Sequence, residues 1–276
     1  MTDAGRLAVL KRYAERYGEI WQDIERGMNE PEDAFFLMGP ANYFFTTGGV
    51  KWAVDPMFNV PRTRESAALI NPDGVMRSLS FVLLTHRHAD HFDKELMKQY
   101  PDADWIVPDH LMNEIPEELH PKMTVARPGD VITRGEITIR AFKSLHFDAG
   151  TTLGVLETGY FVEAGKHRIL FPGDVRDYDA AQYPSFENVT HLFLHVWLGR
   201  GNALNWPCGE YPGQMARFAQ AFAPRKIMLA HLLEATRPLK DMWTYAHAGL
   251  VMDEITALNP AADVCAPMVG KKYRLE

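Results

Sequence analysis

The reading of this chain turns on residues 81–91, Phe81-Val82-Leu83-Leu84-Thr85-His86-Arg87-His88-Ala89-Asp90-His91. The opening apolar run has the length and composition of a buried strand. Three histidines and an aspartate follow within six residues at the strand's carboxyl end. At the His and Asp frequencies of this chain, the pattern H-x-H-x-D-H should arise by accident about once in a thousand such sequences, so it is read as a motif. Imidazole nitrogens with a carboxylate oxygen suit Zn, Mn, Fe or Ni, and the lack of neighbouring cysteine argues against a thiolate site. A loop leaving a strand can turn alternate side chains to opposite sides. His86 and His88 would then face one ion, and Asp90 and His91 another. A solvated histidine-rich turn is the plain alternative.

One segment cannot complete either coordination sphere, so further ligands must come from elsewhere. Three candidates each follow an apolar run: His146 after Ala141-Phe142-Lys143-Ser144-Leu145, Asp174 after Ile169-Leu170-Phe171-Pro172-Gly173, and His231 after Ile227-Met228-Leu229-Ala230. Singly, each has a dull explanation as a core histidine or a turn aspartate. Their shared position after a strand makes the metal reading stronger.

Working outward, Asn42 to Thr47 reads as a strand, Gly48-Gly49 as a tight hairpin turn and Val50 to Val54 as the return strand. Ile137 to Phe142, Tyr160 to Glu163, His167 to Phe171, His191 to Val196 and Lys226 to Ala230 are further expected strands. Helical patterns fall at Lys94 to Tyr100, Asp109 to Ile115, Glu210 to Phe222 and Leu239 to Leu258. Two sheets with helices outside satisfy this order. Ahead of them, Leu7, Leu10, Ala14, Tyr17, Trp21, Ile24 and Met28 alternate spacings of three and four, one helical stripe. Such a helix packs on its own domain, or joins two subunits as a coiled-coil seam and makes a homo-oligomer. Residues 1–30 are taken as an N-terminal helical extension and 31–276 as the main domain.

Composition limits the function. The 276 residues are 46% hydrophobic and 24% charged, an ordinary globule. No apolar run approaches the ~18 residues of a membrane span. The N-terminus mixes both charge signs and lacks a signal-peptide core, and the chain has only two cysteines, so the cytosol is expected. Lys plus Arg is 29 against 36 Asp plus Glu, a formal −7 without a basic run, which disfavours nucleic acid as a partner.

With these residues in place, the sequence resembles the metallo-β-lactamase-fold superfamily over about residues 35 to 275. The resemblance implies an α/β (α+β) fold, a four-layer αββα sandwich of two mixed β-sheets, with the metal site at one edge. It implies that His86, His88 and His146 bind a first metal, that Asp90, His91 and His231 bind a second, and that Asp174 bridges them. Asp55, after Trp52-Ala53-Val54, matches an aspartate that supports the metal loop from behind. Asp93, and the order Gly173-Asp174, proline-rich segment, helix and a strand ending in His231, are similar to the ascorbate-6-phosphate lactonase-like and N-acylphosphatidylethanolamine phospholipase D-like branch. The chain departs from it at Leu192 to Trp197, where a proline-containing strand end is expected.

The implied activity is that of a dinuclear metal-dependent hydrolase. Two divalent ions, most naturally zinc, would carry a bridging hydroxide that attacks a small ester, lactone or phosphate-bearing substrate, with Asp90 and Asp174 as catalytic carboxylates. Two divalent charges against Asp90, Asp174 and hydroxide leave a net positive site, suited to an anionic substrate. Two alternatives share the motif: a mononuclear iron oxidoreductase of the persulfide dioxygenase type, and a nucleic-acid hydrolase of the same fold. Substrate contacts should come from loops near 56 to 66, 147 to 154 and 198 to 210, which carry Arg62, Arg64, Phe147, Arg200 and Trp206. His195 reads either as a core histidine bonded to backbone or as a group facing the metals or substrate. His247 reads as helix surface or helix packing.

Overall fold

The computed structural model describes residues 3–58, 71–234 and 237–276, without the side chains of 3–7, 9 and 10. Leu7, Leu10, Arg62 and Arg64 therefore lie, in whole or in their side chains, outside the described residues. The first helix, α1 (Asp3–Gly27), leads into β1 (Ala34–Leu37), β2 (Tyr43–Thr47) and β3 (Val50–Val54). The short helix α2 (Asp73–Met76), β4 (Phe81–Leu83), α3 (Lys94–Gln99), β5 (Trp105–Pro108) and β6 (Thr124–Ala126) follow. Then come β7 (Val131–Arg134), β8 (Ile137–Lys143), β9 (Thr158–Ala164), β10 (His167–Phe171) and β11 (His191–His195). The chain closes with α4 (Tyr211–Ala221), β12 (Lys226–Ala230), α5 (Tyr245–Leu258), β13 (Asp263–Cys265) and β14 (Lys272–Arg274).

The strands form two seven-stranded sheets, ordered β14-β1-β2-β3-β4-β5-β6 and β13-β12-β11-β10-β9-β8-β7. Each is antiparallel in one half and parallel in the other. Hairpin β2–β3 turns at Gly48 and Gly49, both at positive φ, the conformation a two-residue type I′ turn requires. Between the sheets, Phe45, Trp52 and Phe81 from the first pack with Phe171 and Phe193 from the second. The Phe45 and Trp52 rings stack 4.1 Å apart at 8°. Helices α4 and α5 cover the outer face of the second sheet, while α1 and α3 cover that of the first. The expected αββα sandwich is the observed one.

Tyr17, Ile20, Trp21 and Ile24 of α1, with Met28 just after it, are buried against Phe36, Phe44 and Ala53 of the first sheet. The C-terminal half of the apolar stripe is thus consumed within the chain. Gly27 permits the approach, since a Cβ there would stand 2.4 Å from Phe36 Cζ. Asp93 caps α3, its Oδ1 accepting from Leu96 N at 3.0 Å.

Several boundaries differ from the sequence reading. The strand expected from Asn42 begins at Tyr43, and β1, β5, β6, β7, β13 and β14 were not anticipated. Residues 109–114 form a 3-10 turn rather than an α-helix. The helix expected over 239–258 is broken, because a capping box at Thr244 starts α5 afresh. His247 completes that box: its Nδ1 accepts from Thr244 N at 3.0 Å, and its ring is buried rather than on the surface.

His191 opens β11 in full burial, which pulls its imidazole down to about 4. An unfolded chain takes up this proton near pH 6.5, so the native state keeps its full advantage above that pH and loses it as pH falls toward 4, by roughly 3 kcal/mol at most. With both proteins in chelator, the Tm of His191→Leu should fall less steeply than wild type from pH 6.5 to 4. Identical slopes would contradict this.

Candidate metal centre

The strands deliver the candidate residues to one edge. Asp55 follows β3, the H-x-H-x-D-H segment follows β4, His146 follows β8, Asp174 follows β10, His231 follows β12, and His195 is the last residue of β11. His86, His88, His146 and Asp174 form one group, and Asp90, His91 and His231 a second. Within each, ligand atoms lie within 4.8 Å of one another. An ion about 2.1 Å from each donor would draw them in only slightly. Asp174 Oδ2 belongs with both, 4.0 Å from His86 Nε2, 3.6 Å from His91 Nε2 and 3.5 Å from His231 Nε2. His231 Nε2 is also 3.1 Å from Asp90 Oδ2.

The backbone is bent to make this possible. Asp55 at φ 48° and His231 at φ 65° occupy the left-handed region that side chains rarely adopt. Hydrogen bonds hold both in place. Asp55 accepts from Thr85 N at 2.8 Å and pairs with His91 Nδ1 at 2.8 Å, while His231 N donates to Pro40 O at 2.6 Å. Asn42 Nδ2 ties the segments together, donating to the carbonyls of Asp55 at 2.8 Å and Asp90 at 2.9 Å.

Sequence reasoning missed Glu157. Its carboxylate is buried behind the first group, 3.0 Å from His86 Nδ1 and 3.4 Å from His146 Nδ1. It also accepts from Asp174 N at 2.9 Å and Ser144 Oγ at 2.7 Å. Gly173 leaves it room, because a Cβ there would meet the carboxylate at 2.5 Å. A histidine that binds metal through one nitrogen needs a partner for the other, which was the available signal.

His195 is not bonded to backbone. Its Nδ1 meets Asp174 Oδ1 at 2.6 Å and its Nε2 meets Tyr43 Oη at 2.8 Å. Burial raises the Tyr43 pKa, so the hydroxyl keeps its proton and donates it to Nε2, leaving the Nδ1 proton for Asp174. That bond turns Oδ2 of Asp174 toward the two groups. Arg237, also unforeseen, has Nη2 4.0 Å from both Asp90 Oδ2 and Asp174 Oδ2 and pairs with Glu234. Arg200 is exposed and bonds Asp148 Oδ2 at 2.9 Å. Asp148, Arg176, Trp197, Arg200 and Tyr211 line a cavity of about 1110 Å³ beside the loops that follow the ligand strands. Phe147 pairs with Gly154 as the 147–154 loop folds back. Trp206 is exposed, its ring 5.5 Å from His247.

The donor set fits divalent metals. Burial takes His86 down to about 3 and His88 to about 4, so both present the neutral imidazole that metals require. His91 Nε2 and His146 Nε2 are buried without a hydrogen-bond partner. Burial opposes a charge on His91, yet Asp174 and Asp90 lift its pKa well above the ordinary value, so this corner favours a cation.

Comparison with known proteins agrees with this geometry. Residues 53–232 match the β-lactamase superfamily domain, and the chain belongs to that family. No curated protein matches the sequence. The fold is similar to that of Igni18, a metallo hydrolase from Ignicoccus hospitalis (15% identity, 88% of this chain, 98% of that one, TM-score 0.60). It is similar to an isothiocyanate hydrolase from Delia radicum gut bacteria (16% identity, 88% and 100% coverage, TM-score 0.57). It is also similar to CmlA, a diiron β-hydroxylase from Streptomyces venezuelae (15% identity, 90% and 55% coverage, TM-score 0.61). At these identities the likeness establishes the fold alone. No helix among the described residues is long and apolar enough to cross a membrane.

Glu157→Gln keeps an acceptor for Asp174 N but removes the charge behind His86 and His146. The affinity of the His86, His88 and His146 group for an added divalent ion should fall about 10- to 100-fold with circular dichroism unchanged. Unaltered affinity in a chelator competition would show that Glu157 only fills space.

Proposed function

We propose that the chain is a dinuclear metal-dependent hydrolase acting on a small ester, lactone or phosphate-bearing molecule. The observation that carries this reading is the single oxygen Asp174 Oδ2 within 4.0 Å of histidines from both groups. Charge supports it too. Asp55, Asp90, Asp174 and Glu157 are all buried, and two divalent ions would balance their four negative charges, so Asp55 and Glu157 cancel the net positive charge expected from Asp90 and Asp174 alone. The nearby Glu234–Arg237 pair is neutral by itself.

His86, His88, His146 and Asp174 would hold one ion, and Asp90, His91, His231 and Asp174 the other. Such ions supply Lewis acidity, lowering the pKa of water from 15.7 toward ~7 and polarising the bond to be cleaved. The protein's own part is positional. Asp55 and Glu157 fix the Nδ1 protons of His91 and His86, so each ring presents Nε2 to the site. Asp90 would take a proton from the attacking water and release it toward the leaving oxygen. The chain Tyr43–His195–Asp174 keeps the shared carboxylate from rotating.

Zinc is the proposed metal, with manganese and iron also suited to these donors. The lactonase-like or phospholipase D-like branch remains part of this proposal, resting on Asp93 and on the order Gly173-Asp174, proline-rich segment, helix and strand ending in His231.

Protein purified without chelators should hold about two divalent ions per chain and hydrolyse a member of a lactone, ester and phosphodiester panel. One iron per chain with oxygen consumption would favour the oxidoreductase reading instead. Asp174→Ala should lose nearly all turnover and much of its metal while keeping its circular dichroism spectrum. Full activity in metal-free Asp174→Ala protein would refute the mechanism.

A further inference from the structure

We propose that Arg237 makes the two metal positions unequal, weakening the hold of the Asp90, His91 and His231 position on its ion so that the first position fills before it. The inference rests on the dinuclear reading above and adds an order of filling to it.

The geometry is specific. Arg237 lies on the loop that follows β12, six residues after His231, and its side chain is only 15% exposed. Its Nη2 stands 4.0 Å from Asp90 Oδ2 and 4.0 Å from Asp174 Oδ2. These are the same two oxygens that approach the ring nitrogens of the second group, Asp90 Oδ2 at 3.1 Å from His231 Nε2 and 3.7 Å from His91 Nε2. A second ion and the guanidinium would therefore draw on the same carboxylates.

Each group has an anion behind it, Glu157 for the first and Asp55 for the second. Arg237 breaks that balance. Its Nη2 is as close to Asp90 Oδ2, which belongs to the second group alone, as to the shared Asp174 Oδ2, so only the second position has both of its carboxylates facing the guanidinium. A guanidinium does not release its proton at any working pH, so the opposition is permanent. Glu234 tempers the charge and, being itself buried, fixes where the guanidinium sits. Like charges sharing ligands in a buried site repel more strongly than they would in water. The consequence is functional: turnover would follow free metal concentration over a range in which the first position is already full.

The test uses full-length, zinc-loaded protein dialysed against chelator-buffered zinc of falling free concentration, with bound zinc per chain read by elemental analysis. Wild type should lose its ions in two separated steps. In Arg237→Met the looser step should move to at least ten-fold lower free zinc while the tighter step stays. Because Arg237→Met strands the Glu234 charge, the double variant Glu234→Gln with Arg237→Met is measured beside it and should shift in the same sense. Arg237→Lys, which keeps the charge, should stay nearer wild type.

The inference is overturned if the neutral variants keep the wild-type looser step, or if both steps move together. It is equally overturned if wild type releases both ions in one step, whatever the variants do. One zinc in wild type and two in the neutral variants would support Arg237's role while removing the dinuclear reading of the native enzyme. One zinc in every protein would remove both. Two equal, unshifted ions throughout would remove only the inference.

Discussion

Four carboxylates, Asp55, Asp90, Asp174 and Glu157, are buried at one edge of a protein sandwich, and this concentration of negative charge governs the site. Carboxylates removed from water to this degree need cations or many donors. The chain supplies imidazoles, a few backbone amides, the hydroxyls of Thr85 and Ser144, and Arg237, which already has Glu234 as a partner. Polar groups left unsatisfied at His91 Nε2 and His146 Nε2 lie on the same site. Charge and unmet coordination thus point the same way.

The two sheets exist, in this view, as a rigid mount. The core between them is aromatic and tightly stacked, around Phe45, Trp52, Phe171 and Phe193. Ligands at the ends of β4, β8, β10 and β12 inherit that rigidity. Asp55 and His231 stay in left-handed backbone only because neighbouring segments hold them. Buried polar links such as Tyr43–His195–Asp174 then fix which oxygen faces the ligands.

What the sequence made legible follows from locality. His86, His88, Asp90 and His91 fall in one short segment, so spacing alone exposed them. His146, Asp174 and His231 were legible because each follows an apolar strand. Glu157 and Arg237 had no such mark: Glu157 meets His86 from far away in the chain, and Arg237, paired locally with Glu234, reaches Asp90 only through the fold. Tyr43 looked like core, and it is core, but its hydroxyl also reaches His195. Strands β5, β6, β13 and β14 have three or four residues each, too short for a period to emerge. In the 239–258 segment, Met242 and Trp243 continue an apolar pattern across the break that Thr244 enforces.

The most direct measurement is anomalous X-ray diffraction from crystals of the metal-loaded protein, collected above and below the absorption edge of the bound metal. The account predicts two peaks, one among His86, His88 and His146, the other among Asp90, His91 and His231, with the Asp174 carboxylate touching both. A single peak, or peaks that leave Asp174 outside their coordination, would contradict it.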